Sequence, residues 1–161
     1  MKPKNYKKVL IAVDYDPSSL KVTKTGYWLA KEIDAEVTLL HVIADATYYS
    51  SLQYSRIDGF ENYIDLSKLQ LENEDGLKEV SQNYLNKIKH KLDDETIKTL
   101  IKEGDFATSI LNAANDLKVD LIVIGSHSRR WLEKILLGSV TEKVLQHSTI
   151  PLFIVPTRKK E

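Results

Sequence analysis

Short apolar runs rich in β-branched residues alternate along this chain with longer segments of helical periodicity. The runs at residues 7–13, 37–43 and 120–124 are dominated by Val, Ile and Leu. Strands that are covered on both faces by other elements have this pattern. Two more runs, at residues 96–101 and 151–155, are also compatible with strands. The pattern therefore predicts five strands.

Segments with apolar residues at three- and four-residue spacing separate these strands. Asp16 followed by Pro17 has the form of an N-cap and a first helical residue, which predicts that the first helix begins there. Its apolar positions include Trp28, and the pattern ends near Asp34. Three further helices are predicted, at residues 77–92, after Gly104-Asp105, and from Gly138-Ser139.

Strands that alternate with helices are typical of an α/β fold in which right-handed crossovers join parallel strands. We infer a single doubly wound, five-stranded parallel sheet in the order 3-2-1-4-5, with helices on both faces. At 161 residues, one domain covering residues 1–161 is expected. An irregular, tyrosine-rich insertion at about residues 44–62 interrupts the pattern.

Composition excludes several classes of protein. The chain has 23 basic and 23 acidic residues, and this balance argues against a broad nucleic-acid surface. It has no cysteine, so it holds no disulfide, thiol nucleophile or thiolate metal site. No segment approaches the roughly 20 apolar residues that a membrane span requires. We therefore expect a cytoplasmic protein that binds neither membrane nor nucleic acid.

The expected strand order places a candidate site where that order reverses, between the first and fourth strands. Asp14 and Gly125 follow these two strands directly. The Asp14 carboxylate has two interpretations, a ligand contact or an Asx turn with its own backbone. Val42 ends the neighbouring strand, where its backbone could meet a flat heterocycle and its side chain could belong to the core.

Two segments near this edge are suited to bind an anion. Residues 125–130 (Gly-Ser-His-Ser-Arg-Arg) form a small, hydroxyl-rich and basic loop, and residues 138–141 (Gly-Ser-Val-Thr) open the last helix. Ser139 and Glu142 also have the spacing of a capping box, which would explain them without a ligand. The six glycines form neither a dinucleotide fingerprint nor a Walker A loop.

These segments resemble a known family. Residues 125–144 together with residues 146–156 look like the C-terminal signature of the universal stress protein family, and residues 11–14 and 40–42 fit its first two strands. The resemblance covers essentially the whole chain apart from the insertion. It implies a Rossmann-like sheet of the adenine nucleotide alpha hydrolase type, in a small cytoplasmic protein of stress response or regulation.

The resemblance also implies a ligand, a site and a partner. The nucleotide-binding branch of the family holds ATP or a relative such as ADP or AMP, with or without Mg²⁺. Its dimers often form by antiparallel pairing of the final strands, which corresponds to residues 151–156 here. The positions that would meet the nucleotide are Asp14, Val42, Gly125, Ser126, Ser128, Gly138, Ser139, Val140 and Thr141.

One position departs from the family motif, because its second glycine falls on Ser128. Glycine there would allow close backbone approach, which a residue with a Cβ makes harder. Trp131 follows closely and could pack on the sheet or cover the crevice. A dimeric regulatory protein that does not bind nucleotide is therefore the alternative function.

The residues do not indicate catalysis. No nucleophile elbow is present, and the four histidines show no metal-ligand spacing. His127 is the one candidate base near the crevice. We expect no dedicated catalytic residue, no bound metal of the protein's own, and at most slow ATP hydrolysis.

Overall fold

The computed structural model describes residues 4–44, 74–127 and 137–157. Five strands are assigned, at Lys8–Val13 (β1), Glu36–Ile43 (β2), Lys98–Glu103 (β3), Leu121–Gly125 (β4) and Leu152–Val155 (β5). All neighbouring pairs are parallel, and the sheet order is β3-β2-β1-β4-β5. The predicted α/β fold and strand order are confirmed.

Four helices connect the strands in the described part of the chain. They are Ser19–Glu32 (α1), Glu74–Leu92 (α2), Phe106–Asp116 (α3) and Ser139–His147 (α4). One core lies between the sheet and α1 with α2, and a second lies between the opposite face and α3 with α4. β1 contributes to both cores, since Leu10 and Ile11 point to opposite faces and both are fully buried. The central strands are therefore apolar on both sides, as their sequence indicates.

Helix α1 lies unusually close to the sheet at Gly26. A Cβ added there would be 2.8 Å from Val123 Cγ1 and 2.9 Å from Ile11 Cδ1. Both neighbours belong to the central strands β1 and β4. The absence of a side chain at Gly26 thus lets the middle of α1 pack directly on the two central strands.

The start of α1 differs in detail from the prediction. The assigned helix begins at Ser19 after Ser18, whose side chain makes no capping hydrogen bond. The Asp16 carboxylate nevertheless accepts a hydrogen bond from the Ser18 amide at 2.8 Å, so it supports the first turn. Trp28 does not belong to the buried face, because 61% of it is exposed and the core positions are Val22, Tyr27 and their helical neighbours.

Strand β3 begins two residues later than predicted. Asp94 accepts hydrogen bonds from the Thr96 amide and hydroxyl, and these bonds keep Thr96 in a turn. The strand instead continues to Glu103, because Lys102 and Glu103 pair with Val42 and Ile43. Polar residues are accommodated there because β3 is an edge strand.

The remaining helix starts can be compared with the sequence. Asp105 caps α3, since its carboxylate accepts a hydrogen bond from the Thr108 amide at 3.0 Å. The alternative interpretation of Ser139 as the N-cap of a capping box is wrong: Gly138 is the N-cap of α4, and Ser139 is already helical. The insertion predicted at about residues 44–62 lies, apart from Ala44, outside the described residues.

Candidate functional site

A cleft opens at the carboxyl ends of β1, β2 and β4, where the strand order reverses. It contains about 800 Å³ of space not occupied by atoms, part of which is open to solvent. Its position is therefore that of a ligand site in a doubly wound sheet.

Apolar residues form much of the cleft, and polar residues contribute to its lining from the starts of α1 and α4. The polar group includes the Asp14 carboxylate and the hydroxyls of Ser18, Ser19 and Thr141. Among the described residues of the lining there is no lysine or arginine. The apolar part of the lining consists of Ala12, Val13, Val22, Leu40, Val42, Phe106, Ile110, Ile124 and Val140.

Asp14 lies directly after β1 and is held by several hydrogen bonds. Its Oδ1 atom accepts from the Asp16 amide at 2.9 Å and from the Ser19 hydroxyl at 2.6 Å. The Asp14 amide donates a hydrogen bond to Ser19 Oγ at 3.1 Å. The Asx turn that the sequence left open is therefore present, and the carboxylate is oriented by the start of α1 while lining the cleft.

The Asp14 carbonyl is fixed from the other side by a tyrosine of α2. Tyr84 donates its hydroxyl proton to this carbonyl at 2.6 Å, and burial raises the pKa of the Tyr84 phenol. Tyr15, the next residue along the chain, shares a hydrogen bond of 2.8 Å with Ser81, also on α2. Helix α2 thus fixes the backbone that presents Asp14 to the cleft.

His41 is a buried histidine of β2 that also lines the cleft. It is only 2% exposed, and its Nδ1 atom lies 2.9 Å from the Val13 carbonyl. Because a carbonyl can only accept, Nδ1 carries the proton and donates it. Burial lowers the pKa of His41 to about 4, so the ring is neutral at pH 7. The ring packs against Tyr15, with 4.3 Å between ring centroids.

The carbonyl groups of the turn after β4 accept three hydrogen bonds from two other parts of the fold. The Gly125 carbonyl accepts from the Thr141 hydroxyl at 2.7 Å, and the Ser126 carbonyl accepts from the Gly138 amide at 2.7 Å. The His127 carbonyl accepts from the Thr157 hydroxyl at 3.0 Å. These bonds connect the end of β4 to the first turn of α4 and to the residues after β5.

The amides of this turn are also used within the protein. Ser126 donates its amide proton to the Val155 carbonyl at 2.9 Å, and His127 donates to Thr157 Oγ1 at 3.1 Å. The sequence suggested that this loop offers backbone donors to an anion. At Ser126 and His127 these donors already have partners, and residues 128–130 of the loop lie outside the described residues.

The start of α4 presents its first amides near the cleft. Gly138 has φ −65° and ψ 157°, and its own amide is engaged with Ser126. The first amides of a helix have no acceptor within the helix, and they carry the positive end of its dipole. Gly138, Val140 and Thr141 line the cleft, and Ser139 is exposed beside them.

The structure brings most of the predicted site residues together. Six of them line the cleft: Asp14, Val42, Gly125, Gly138, Val140 and Thr141. Ser126 is not among the lining residues, because its buried hydroxyl bonds to His127 and Thr157. Ser128 and Trp131 lie outside the described residues.

Sequence reasoning did not single out several residues that form the cleft. Phe106 and Ile110 reach it from α3, and Ser18 and Ser19 reach it from the start of α1. A signal existed for the serines, since they follow Asp14 closely in sequence. Thr157 had no such signal, because the turn that it binds is about 30 residues earlier in the chain.

Neither a membrane-spanning helix nor a metal-binding cluster is found in the described ranges. None of their helices is long and apolar enough to cross a bilayer. No group of three or more His, Asp or Glu side chains in the same ranges is arranged to hold a metal ion.

Comparison with known proteins identifies the family. Residues 5–156 match the family model described as the universal stress protein family. The chain is 36% identical to the universal stress protein MJ0531 of Methanocaldococcus jannaschii over 158 residues, which are 97% of this chain and 85% of that protein. It is 35% identical to the universal stress protein YxiE of Bacillus subtilis, covering 93% of this chain and 99% of that one.

Solved structures give the same result at the level of the fold. The structure of MJ0577, from the same archaeon, superposes with a TM-score of 0.71 at 30% identity, covering 98% of this chain and all of that chain. A universal stress protein solved in complex with cAMP has a TM-score of 0.64 at 17% identity and covers 96% of this chain. With the family model spanning nearly the full length and the strand order of the sheet in agreement, the chain belongs to the universal stress protein family.

Proposed function

We propose that this protein binds an adenine nucleotide in the cleft and acts as a nucleotide-dependent module of stress response or regulation. The observation that carries the proposal is the convergence of Asp14, Val42, Gly125 and Gly138 on one cleft. These residues come from three strands and one helix start that are far apart in the chain. The cleft lies where doubly wound sheets bind their ligands.

The base end of the cleft has the chemistry of a heterocycle site. Val13 and His41 are paired across β1 and β2, so Asp14 and Val42 follow at adjacent places on the strand ends. A carboxylate at this edge of the sheet can meet the polar edge of a base. Phe106 and Ile110 provide apolar surface against which its flat face can pack.

The phosphate end is assigned to the start of α4. Because the Gly138 amide is used by Ser126, the donors for a phosphate would begin at Ser139 and continue to Val140. The dipole of α4 favours an anion at this end. Among the described residues of the lining no cationic side chain assists, so the helix start supplies the positive potential.

A relative supports the class of ligand. One universal stress protein of the same fold was solved in complex with cAMP, which carries adenine, ribose and one phosphate. ATP, ADP and AMP share the same base and ribose and differ in the number of phosphates. Mg²⁺ would accompany ATP as part of the ligand.

Turnover of the nucleotide is expected to be slow at most. His127 lines the cleft, and its Nδ1 atom is 3.0 Å from the Ser126 hydroxyl, so Nε2 is the nitrogen that would have to act as the base. A general base has to reach the water that it activates.

The two proposals that accompany nucleotide binding are a cytoplasmic location and a homodimer formed through β5.

A second candidate function is a dimeric regulatory protein of the same family that holds no nucleotide. The observation in its favour is that the Ser126 and His127 amides bond within the protein. In that case the cleft would be empty in the cell, and the surface of the dimer would carry the function.

Native mass spectrometry of the freshly purified protein separates the two candidates. A co-purified mass of AMP, ADP, ATP or cAMP supports nucleotide binding. Calorimetric titration with each of the four nucleotides then ranks their affinities. Absence of both a co-purified ligand and any heat of binding would favour the protein that acts through its surface.

A substitution at Gly138 tests the site itself. Its φ and ψ suit any residue, and aspartate is a favoured N-cap, so Gly138→Asp is expected to fold. The new carboxylate would accept from the α4 amides and repel phosphate, so ATP binding should become unmeasurable by calorimetry. Gly138→Ala is the control and should keep binding. Equal affinity of Gly138→Asp and wild type would contradict the assignment of the phosphate end.

A further inference from the structure

Thr157 makes four hydrogen bonds to Ser126 and His127 in the turn after β4. Its amide donates to Ser126 Oγ at 3.0 Å, and its hydroxyl donates to the His127 carbonyl at 3.0 Å. The same hydroxyl oxygen accepts from the His127 amide at 3.1 Å and shares a 3.1 Å hydrogen bond with Ser126 Oγ. One side chain therefore satisfies both backbone groups of His127.

The methyl group of Thr157 occupies the space beside Gly125, the residue at which the turn begins. A Cβ added to Gly125 would be 3.0 Å from Thr157 Cγ2 and 3.0 Å from Val22 Cγ2. Gly125, Val22 and His127 all line the cleft. Thr157 thus bonds to the backbone of the cleft wall without being one of the lining residues itself.

We propose that Thr157 is a positioning residue that sets the affinity of the cleft for nucleotide by holding the Gly125–His127 turn in the conformation described above. This inference rests on the proposed function. A turn that is ordered before the ligand arrives does not have to be ordered by it, which raises affinity. Thr157 lies two residues after the end of β5, so the segment that follows the edge strand also holds the wall of the cleft.

Two substitutions separate the hydroxyl from the rest of the side chain. Thr157→Val keeps the shape but removes the hydroxyl, leaving the His127 amide and carbonyl without their partner. ATP affinity by calorimetry should fall about tenfold. Thr157→Ser keeps the hydroxyl and loses only the methyl group, and its affinity should stay within about twofold of wild type. Rescue by serine distinguishes positioning from general destabilisation.

A remote hydroxyl provides the matched control. Thr96 bonds through its hydroxyl to Asp94 at the other end of the sheet, so Thr96→Val should lower stability without changing ATP affinity. Hydrogen exchange gives a direct readout: the His127 amide should exchange faster in Thr157→Val than in wild type or Thr157→Ser.

The outcomes separate the two claims. If wild type binds ATP and Thr157→Val binds it equally well, the role of Thr157 is overturned while nucleotide binding stands. If wild type binds none of ATP, ADP, AMP or cAMP, the proposed function is overturned and the role of Thr157 with it. A fall in affinity of Thr96→Val equal to that of Thr157→Val would also overturn the positioning role.

Discussion

His41 shows how a single residue on a central strand can combine burial with a fixed hydrogen bond. The ring donates to the Val13 carbonyl, and no partner of its Nε2 atom is present among the described residues. A protonated ring would carry a buried charge in this place. The depressed pKa of His41 is the consequence, and it links folding to pH.

We predict that His41 makes the protein less stable as the pH falls from 6.5 to about 4. Over this window the unfolded chain binds a proton that the folded chain does not, so stability decreases on acidification. The full decrease in the free energy of unfolding should be on the order of 3 kcal/mol. In His41→Phe this part of the pH dependence should disappear, as urea unfolding at several pH values would show.

A surface histidine serves as the control for this measurement. His90 is exposed on α2, and His90→Gln should keep the wild-type loss of stability on acidification. If His41→Phe and wild type lose the same stability between these pH values, a different group must be responsible.

At the scale of elements, Asp94 joins three parts of the fold at the amino end of the sheet. It follows α2 and binds two side chains of α1, Tyr27 at 2.9 Å and Lys31 at 2.7 Å. It also holds Thr96 before β3. Lys31, together with the Thr96 hydroxyl, keeps the pKa of the Asp94 carboxyl well below its usual range. The ionised form is therefore the one that stabilises the junction.

We predict that Asp94→Asn lowers the free energy of unfolding by about 2 kcal/mol at pH 7, because the amide replaces a charge-assisted acceptor. The pKa of Asp94 in the folded state lies below the ordinary 3.8. The extra stability of wild type over Asp94→Asn is therefore present above pH 3.8 and is lost as the pH falls below it. Chemical denaturation at pH 7 and near pH 3 measures both parts. Asp34→Asn, at an exposed aspartate, is the control and should change stability little.

At the scale of the whole molecule, β5 leaves one side of the sheet open. It is the last strand in the sheet order, and within the described residues no strand pairs with its outer side. Phe153 on this strand is 38% exposed. An unpaired edge with an exposed aromatic residue is suited to pair with a second copy. Proline at 151 and at 156 limits the length of such a ladder.

We predict that wild type sediments as a dimer at micromolar concentration and that Phe153→Lys sediments as a monomer. Lysine on an edge strand opposes pairing, and two copies would bring like charges together. Trp28→Lys is the control, because Trp28 is even more exposed but lies on α1. A monomeric wild type, or a Phe153→Lys protein that stays dimeric, would contradict pairing through β5.

Local pattern was sufficient for the elements and for much of the cleft. The continuous apolar runs identified the strands of the sheet, and their carboxyl ends located Asp14, Val42 and Gly125 at one edge. The pattern predicts the elements because the local backbone geometry of a strand or a helix sets the spacing of the side chains that share one face. The strand order followed because crossovers have one hand and strands that are near in sequence tend to be neighbours.

Only the tertiary structure decided which hydrogen-bond partners these residues have. Ser126 was a ligand candidate by its position in the chain, but its hydroxyl bonds to Thr157 after β5 and its amide bonds to Val155 in β5. Trp28 had a helical apolar spacing, but Gly26 and Val22 determine which side of α1 faces the sheet. The sequence determined where each element lies and which edge holds the cleft. The fold decided the partners, because a polar group bonds to whatever is brought near it, including residues far along the chain.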